Sequence, residues 1–429
     1  MSTELTLLTA LLAGHTDRYE EARILDLLRA ATAPELDEYV RSLDCAKLFA
    51  SVDNHLIGPH NRAALRELLI GRLGDLSIEA RANLAYGLQA GHTDRADEEA
   101  IRSVFFAHAG AELTALKNQL NARTDAHDLE GLIFRDIDDN GVRTEILDHI
   151  AREASGVQAG EAKVLCDIDD TVVCALHDDR YPKGTIYPGI LALLDAFDRG
   201  PTGEAFSLGD LTFVTARPGD AFGLIENHTR ETLRRAGVAN HSVLTGTFVN
   251  LLTHDLMAGR KIANIDHLRA LYPEYRLLFI GDSGQGDVRV AELMWQRFGD
   301  VVDVVFIHDV VATPLAERER LSRERIEFVD TYVGAGVLAF ERALIAEVGL
   351  VRIIEESLAA LDEIAWQSPE QERATRSLFE RDLDAARALG VRWNENPPPV
   401  PPEDIHHTPA PEPDPEPEPG EHPGPDVES

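Results

Sequence analysis

Seven residues of this sequence have the types and spacing that phosphoryl-transfer chemistry requires. Six of them lie at or just beyond short apolar runs that are typical of β-strands, and the seventh is one of five lysines in the chain. They are Asp167, Asp169, Thr171, Thr215, Lys261, Asp282 and Asp287. A carboxylate can attack phosphorus to form an aspartyl-phosphate. Several carboxylates packed together need a cation, and oxygen ligands alone favour Mg²⁺.

Asp167 and Asp169 could divide the nucleophilic and acid–base chemistry between them. Strand geometry alone would direct both side chains to one face, but a loop just beyond the strand lets them take separate roles. A hydroxyl and an ammonium group would then hold the remaining phosphoryl oxygens. A bound metal would neutralise charge on the phosphoryl group and on the attacking carboxylate.

The elements that must position these residues form an alternating pattern. From Lys163 onward, five short apolar runs alternate with longer helical stretches, which predicts an α/β fold with a Rossmann-like, doubly wound parallel sheet. The runs are KVLCDID, LTFVTAR, HSVLTG, RLLFIGD and VVDVVFIHD, and the helical stretches are Gly189–Phe197, Ala221–Ala236, Lys261–Leu271 and Val288–Phe298. Because the carboxyl ends of the strands meet at one crevice in such a sheet, we expect the seven residues to converge there.

Four of these segments, taken in order, resemble the motifs of the haloacid dehalogenase superfamily. They are DIDDT, FVTARP, Lys261 and GDSGQGD. Within that superfamily, CDIDDTV and LLFIGDSGQGD are most similar to the catalytic domain of the actin-patch type phosphatidate phosphatases and their bacterial relatives. The resemblance covers roughly residues 160–345. It implies a sheet of the haloacid dehalogenase type, Mg²⁺ as cofactor, and a phosphorylated small molecule or lipid headgroup as substrate.

The resemblance also implies a role for each residue of the first three motifs. Asp167 would be the nucleophile, whereas Asp169 would protonate the leaving group and later activate water. Thr215 and Lys261 would hold the phosphoryl group, and Thr171 would be a further phosphate ligand.

The same resemblance implies a metal site formed by four aspartates. Asp282 would complete the Mg²⁺ site together with Asp167, and Asp169 would contribute its backbone carbonyl. Asp287 would bind the metal directly or support the residues that do. Arg217, in the second motif, is more typical of a structural salt bridge than of a substrate contact.

Residues 1–155 are predicted to form an all-helical domain with two repeats. The sequence AGHTDR occurs at 13–18 and again at 90–95, and each copy precedes an acidic pair and an apolar helix. This region resembles annexin repeats, in which a distant carboxylate completes a calcium site; Asp136 occupies about that place in the second copy. His55 stands there in the first copy, and the Gly-x-Gly-Thr loop is incomplete in both. A structural helical module is therefore the main interpretation, with calcium binding as the alternative.

Two further sequence matches are rejected. Residues 136–147 begin like an EF-hand loop, but Leu147 stands where a Glu must supply the bidentate ligand, so we predict a polar turn between helices. GDSG at 281–284 is similar to a serine-protease nucleophile loop, which would require an all-β barrel rather than alternating strands and helices.

The stretches between the motifs are too short for a large lid in addition to the crossover helices, so an open crevice is predicted. A candidate flap beside the nucleophile is the segment His177–Tyr187, with Tyr181 and Tyr187 as its aromatic residues. The phosphatase-like domain is predicted at 156–312, followed at 313–396 by helices that pack on it. The segment 397–429 holds 13 prolines and nine acids without any Lys or Arg, which predicts a disordered tail.

The net charge of −34 excludes several classes of partner. An acidic surface repels phosphates, so no nucleic-acid partner is expected. Docking on anionic lipid is disfavoured for the same reason, so the net charge does not support peripheral membrane contact. No run of about 18 apolar residues occurs, so no transmembrane segment is predicted. The three cysteines form no C-x-x-C pair, which is typical of a reducing, cytoplasmic location.

Together these features predict a Mg²⁺-dependent phosphohydrolase that cleaves a phosphomonoester through an aspartyl-phosphate, similar to phosphatidate phosphatases. The alternative is an adaptor whose helical repeats bind a partner or Ca²⁺-bridged lipid, and whose phosphatase-like domain only senses phosphate.

Overall fold

The fold was analysed in a computed structural model of the chain. The structure describes residues 2–14, 16–52, 60–90, 93–121, 128–157, 162–203, 211–218, 242–246 and 254–395. The predicted helix Ala221–Ala236 and the predicted tail 397–429 lie outside these residues.

A parallel sheet forms the centre of the α/β region. Its strands are β1 (Ala162–Cys166), β2 (Leu211–Pro218), β3 (Ser242–Gly246), β4 (Arg276–Asp282), β5 (Val302–His308) and β6 (Ile326–Val329). All neighbouring pairs are parallel, and the spatial order is β3-β2-β1-β4-β5-β6. This order reverses direction at β1 and β4, as in a doubly wound Rossmann-like sheet. The predicted α/β class and parallel sheet are therefore confirmed.

The sixth strand corrects the prediction that the chain is helical from about residue 313 onward. Ile326–Val329 pairs with β5, with Val305 opposite Ile326, so the sheet continues beyond residue 312. The strand is only four residues long and follows a run of alternating Arg and Glu typical of a surface helix. Its conformation depends on pairing with a sheet edge, which a short local pattern does not reveal.

Helices cover both faces of this sheet. The described helices before β1 are α1 (Thr3–Leu11), α2 (Arg18–Ala30), α3 (Ala33–Ser42), α4 (Cys45–Ser51), α5 (Asn61–Gly71), α6 (Ile78–Gln89), α7 (Arg95–Phe106), α8 (Gly110–Asn121) and α9 (Asn140–Ala154). Those after β1 are α10 (Ile190–Arg199), α11 (His254–Leu271), α12 (Asp287–Phe298), α13 (Leu315–Ser322), α14 (Tyr332–Glu341), α15 (Glu347–Glu363) and α16 (Pro369–Ala388). Within the described chain, none of these helices has both the length and the hydrophobicity needed to cross a bilayer.

Helix α11 begins seven residues before its predicted start at Lys261. The sequence predicts a later start because Gly259 lowers the helix propensity of this segment and polar residues precede it. Packing of α11 against β2 and β3 accompanies the longer helix. Lys261 therefore lies within α11 rather than at its first turn.

Successive residues of β1, β4 and β5 alternate between two hydrophobic cores. On one face, Leu165, Phe279 and Ile307 belong to a core that also contains α11, α12 and the helices before β1. On the other face, Cys166 and Ile280 join a core formed with α10 and α14–α16. Since side chains of a strand point alternately to opposite faces, one sheet supports both cores.

A buried ion pair joins the N-terminal helices to the sheet region. The Lys117 ammonium group of α8 donates to Glu274 at 2.6 Å and to the Leu271 carbonyl at 2.8 Å. Both charged side chains are almost completely buried. Asn118 adds a hydrogen bond of 2.8 Å to the Tyr275 hydroxyl. Burial lowers the pKa of Lys117 to about 8, although Glu274 opposes the shift, so the ion pair persists at neutral pH.

Replacing Lys117 with methionine is expected to lower the free energy of unfolding by about 3–5 kcal/mol, because a buried Glu274 carboxylate would lose its cation. Thermal or urea unfolding at pH 7 measures the change. Lys47→Met, at a lysine whose side chain is 70% exposed, is the matched control and should change little. An equal effect of the two substitutions would contradict the coupling between these regions.

The aspartate of each copy of AGHTDR is the N-cap of a helix. Asp17 caps α2 and Asp94 caps α7, and each forms a capping box with the acidic residue three positions later. A capping box satisfies backbone N–H groups that have no partner within the helix. The repeated hexapeptide therefore has a structural use in both places.

The acidic pair after each hexapeptide also supplies matching contacts. Glu21 accepts from the Asn61 side chain at 2.6 Å, and Glu98 accepts from the backbone N–H of Asp138 at 2.7 Å. Each glutamate thus binds a residue 40 positions later, and the two contacts are related by the offset of the hexapeptides. Asp139 caps α9, so the EF-hand-like segment is the predicted polar turn between helices.

Candidate active site

Carboxylates from three places in the chain converge at the carboxyl ends of β1 and β4. Asp167 directly follows β1, and its N–H donates to the Ile280 carbonyl of β4 at 2.9 Å. Asp282 ends β4, and Asp287 begins α12. One carboxylate oxygen from each of the three lies within 4.8 Å of the others, and all three residues are buried. The predicted convergence of these residues is therefore observed.

Gly281 makes this close arrangement possible. A Cβ atom added to Gly281 would lie 2.5 Å from Oδ2 of Asp287. Any larger residue at this position would push Asp287 away from β4. The glycine of the fourth motif thus allows the first turn of α12 to lie directly against the strand.

Lys261 brings an ammonium group into the same cluster. Its Nζ lies 2.7 Å from Oδ1 of Asp167 and 2.6 Å from Oδ1 of Asp287. Burial would lower the pKa of Lys261, but the carboxylates of Asp167 and Asp287 outweigh it and raise that pKa above its usual value. Lys261 therefore stays protonated and orients the Asp167 carboxylate.

One ammonium group does not balance three carboxylates. Burial raises the pKa of Asp167 to about 7; Lys261 opposes the shift and Asp287 adds to it. Burial, reinforced by the charges of Asp287 and Asp167, also raises the pKa of Asp282 well above its usual range. The cluster is therefore short of positive charge when all of its carboxylates are ionised.

An unpaired oxygen indicates where a cation would bind. Oδ1 of Asp282 accepts from the Gly284 N–H at 2.6 Å, whereas its buried Oδ2 has no hydrogen-bond partner among the described residues. Leaving a buried carboxylate oxygen unpaired is costly. Three convergent carboxylates fit a hard divalent cation, so Asp167, Asp282 and Asp287 could hold one.

Asp169 and Thr171 lie on the loop after β1 but outside this group of three. The Asp169 carbonyl, predicted as a metal ligand, accepts from Nε2 of Gln285 at 3.2 Å. Thr171 is fully buried, and its hydroxyl has no hydrogen-bond partner in the part of the chain that the structure describes. Its carbonyl accepts from the Tyr332 hydroxyl at 2.5 Å. The side chain of Thr171 is thus buried within the loop, and its role as a phosphate ligand stays a prediction.

Thr215 and Arg217 lie in β2, next to β1 in the sheet. Cys166 of β1 pairs with Phe213 of β2. Asp167 follows Cys166 by one residue and Thr215 follows Phe213 by two, so both lie at the same edge of the sheet. The side chains of Thr215 and Arg217 are outside the described part of the structure. Their predicted phosphate and salt-bridge roles stay predictions.

Asp170 is a structural residue of the site that the sequence analysis missed. It has a positive φ of 58° and is fully buried. Its carboxylate accepts from the N–H groups of Ala175, Leu176 and His177 at 2.7–2.8 Å. Burial would raise the pKa of Asp170, but these hydrogen bonds outweigh it and lower that pKa. The only sequence signal is an Asp doublet, since Asp tolerates the left-handed region better than most residues.

The two tyrosines of the predicted flap lie in the protein interior, and the flap itself stays a prediction. Tyr181 and Tyr187 are buried and pack edge-to-face, with ring centroids 5.1 Å apart. The Tyr187 ring also packs against His308 at the end of β5. These aromatic residues stabilise the loop from the protein interior, because burying two rings is more favourable than exposing them.

His308 connects this loop to the sheet. Its Nδ1 lies 3.0 Å from the Asp170 carbonyl, and its Nε2 lies 3.0 Å from the guanidinium group of Arg180. Burial, reinforced by Arg180, lowers the pKa of His308 to about 4. The imidazole is therefore neutral at physiological pH, with Nε2 accepting from Arg180.

No known protein family, curated protein or solved structure matches this chain.

Proposed function

We propose that this chain is a Mg²⁺-dependent phosphohydrolase of the haloacid dehalogenase type, cleaving a phosphomonoester through an aspartyl-phosphate. The observation that carries the proposal is the contact of Lys261 with Asp167 and Asp287, beside the unpaired oxygen of Asp282. Phosphatidate-like lipids are the finer substrate class suggested by the motifs, alongside phosphorylated small molecules.

In this proposal Asp167 is the nucleophile. Its carboxylate oxygen forms a bond to phosphorus, and the bond from phosphorus to the leaving oxygen breaks. Lys261 orients the attacking carboxylate and stabilises charge on the phosphoryl oxygens. Bound Mg²⁺ would supply the positive charge that the three buried carboxylates lack.

Asp169 is the acid and base of the proposed cycle. It donates a proton to the departing oxygen, so that the leaving group departs as an alcohol. It then accepts a proton from the water that attacks the aspartyl-phosphate, which releases inorganic phosphate and restores Asp167. The hydrogen bond from Gln285 to the Asp169 carbonyl fixes the backbone of this residue.

We assign the N-terminal helices a supporting role, as two copies of one helical unit. Two of their acidic residues accept hydrogen bonds from within the protein. Asp136 accepts one from the Gln89 side chain at 2.5 Å, and Glu98 accepts one from the backbone N–H of Asp138. Such contacts compete with Ca²⁺ for the same oxygens, which weighs against the annexin-like adaptor alternative.

The full chain should hydrolyse 4-nitrophenyl phosphate in the presence of Mg²⁺, with activity lost in EDTA and restored by excess Mg²⁺. The release of 4-nitrophenol measures turnover. Ca²⁺ in place of Mg²⁺ should support little turnover, because it prefers a larger and less regular oxygen shell. Turnover that is unchanged by EDTA would contradict the proposed metal dependence.

A further inference from the structure

The serine of the GDSG segment lies between the candidate metal site and strand β5. Asp282, whose Oδ2 has no hydrogen-bond partner among the described residues, ends β4 opposite His308 of β5. The N–H of Ser283 donates to the His308 carbonyl at 3.0 Å, which extends the pairing of β4 with β5 by one residue. Beyond this bond the chain enters a turn at 283–286 that leads into α12.

This turn determines where the Asp282 carboxylate points. The N–H of Gly284 donates to Oδ1 of Asp282 at 2.6 Å, so one carboxylate oxygen is fixed by the backbone of the turn. Gly286, at the end of the turn, has a positive φ of 110°. A shift of residues 283–284 would therefore move the carboxylate that is proposed to bind the metal.

The Ser283 hydroxyl group attaches the turn to the loop after β5, residues 309–314. Its Oγ donates to Oδ1 of Asp309 at 2.8 Å. The same oxygen accepts from the N–H groups of Val310 and Val311 at 2.9 and 3.3 Å. The proton and both lone pairs of the hydroxyl are thus engaged, which is typical of a positioning group and unfavourable for a nucleophile.

Asp309 is a fixed anchor for that hydroxyl. Its side chain is fully buried and forms an ion pair with Arg318. Oδ1 also accepts from the Thr313 hydroxyl at 2.9 Å, and Oδ2 accepts from the Thr313 N–H at 2.8 Å. Burial would raise the pKa of Asp309, but the hydrogen bond from Ser283 and the charge of Arg318 outweigh it and lower that pKa. The anchor is therefore a carboxylate at neutral pH, and its bond to the hydroxyl is charge-assisted.

We propose that Ser283, held by Asp309, is a positioning residue that directs the Asp282 carboxylate toward the metal ion. This inference deepens the proposed function and rests on its Mg²⁺ site. Residues that orient the ligands of a metal typically contribute about 10- to 100-fold to metal affinity. Because Ser283 acts through the backbone next to Asp282, we expect an effect at the lower end of that range.

Calorimetric titration of the metal-free full chain with MgCl₂ tests this role. Ser283→Ala should raise the Kd for Mg²⁺ about tenfold. Its melting temperature in EDTA should fall little, because Asp309 keeps its contacts with Thr313 and Arg318. A residue that only stabilised the fold would instead lower the melting temperature and leave the Kd unchanged.

The isosteric pair Ser283→Thr and Ser283→Val repeats the comparison at constant side-chain volume. Threonine keeps the hydroxyl group, so the Kd for Mg²⁺ should stay within about twofold of the wild-type value. Valine has a methyl group in its place, so the Kd should rise about tenfold. This pair provides the same test if Ser283→Ala does not fold.

Ser322→Ala is the matched control. The Ser322 hydroxyl also donates to a carboxylate at 2.8 Å, that of Glu327, and neither residue belongs to the proposed metal cluster. This substitution removes the same kind of bond and should leave the Kd for Mg²⁺ unchanged.

The outcomes separate the positioning role from the proposed phosphohydrolase function. An equal Kd in the wild type, Ser283→Ala and Ser283→Val would overturn the positioning role alone. So would an equal loss of affinity in Ser283→Thr and Ser283→Val, or the same loss in Ser322→Ala. If the variants followed the expected order of affinity but the wild type hydrolysed no 4-nitrophenyl phosphate, the phosphohydrolase function alone would be overturned. A wild type that bound no Mg²⁺ would overturn both.

Discussion

Replacing Asp167 with asparagine is expected to reduce phosphatase turnover by about 10³-fold or more, because an amide oxygen cannot form the aspartyl-phosphate. Asparagine keeps the shape of the side chain and removes one negative charge from a crowded, buried cluster. We therefore expect the melting temperature in EDTA to stay the same or to rise. Turnover of 4-nitrophenyl phosphate and thermal unfolding of the same preparation provide the two measurements.

The control for this variant is Asp384→Asn, at a side chain of α16 that is 74% exposed. It makes the same chemical change at an exposed side chain whose ion-pair partner is Arg387, and it should leave turnover unchanged. If Asp167→Asn kept more than about a tenth of wild-type turnover, the nucleophile would be a different group.

Replacing Lys261 with methionine should affect stability and turnover together. Without metal, the variant would bury three carboxylates with no cation, which costs about 3–5 kcal/mol of unfolding free energy. Loss of the group that orients Asp167 should also reduce turnover by about 10²-fold or more. Both effects arise from contacts of 2.7 and 2.6 Å that Lys261 makes with Asp167 and Asp287.

Magnesium provides the distinctive readout for this variant. Because a bound cation would replace the lost ammonium charge, added Mg²⁺ should raise the melting temperature of Lys261→Met more than that of the wild type. Lys47→Met, at an exposed lysine of α4, should behave like the wild type in EDTA and in Mg²⁺. An equal Mg²⁺ shift in all three proteins would contradict the assignment of Asp167, Asp282 and Asp287 as the metal site.

The convergence of the candidate site could be predicted because it depends on local patterns and one topological rule. Apolar runs ending in polar residues identified β1 and β4, and the carboxyl ends of parallel strands meet at one edge. The same rule predicts Asp167, Asp282 and Asp287, and the third motif together with the scarcity of lysine predicts Lys261. The capping function of AGHTDR likewise depends on residues within one helical turn.

Other features depend on contacts between distant residues and have no local signal. Strand β6 is short and exists because β5 offers an edge to pair with. The His308 ring binds the Asp170 carbonyl across 138 positions of sequence, and Lys117 binds Glu274 across 157. Such pairs are fixed only when the sheet and its covering helices assemble, so neither composition nor periodicity reveals them.

Acid quenching during turnover of acetyl phosphate, followed by peptide mass spectrometry, tests the central claim most directly. The account predicts one phosphoryl group on the peptide that contains Asp167, removed by hydroxylamine and absent from Asp167→Asn and from samples in EDTA. Hydrolysis that proceeds with no phosphoryl group on Asp167, or with the group on another residue, would contradict it.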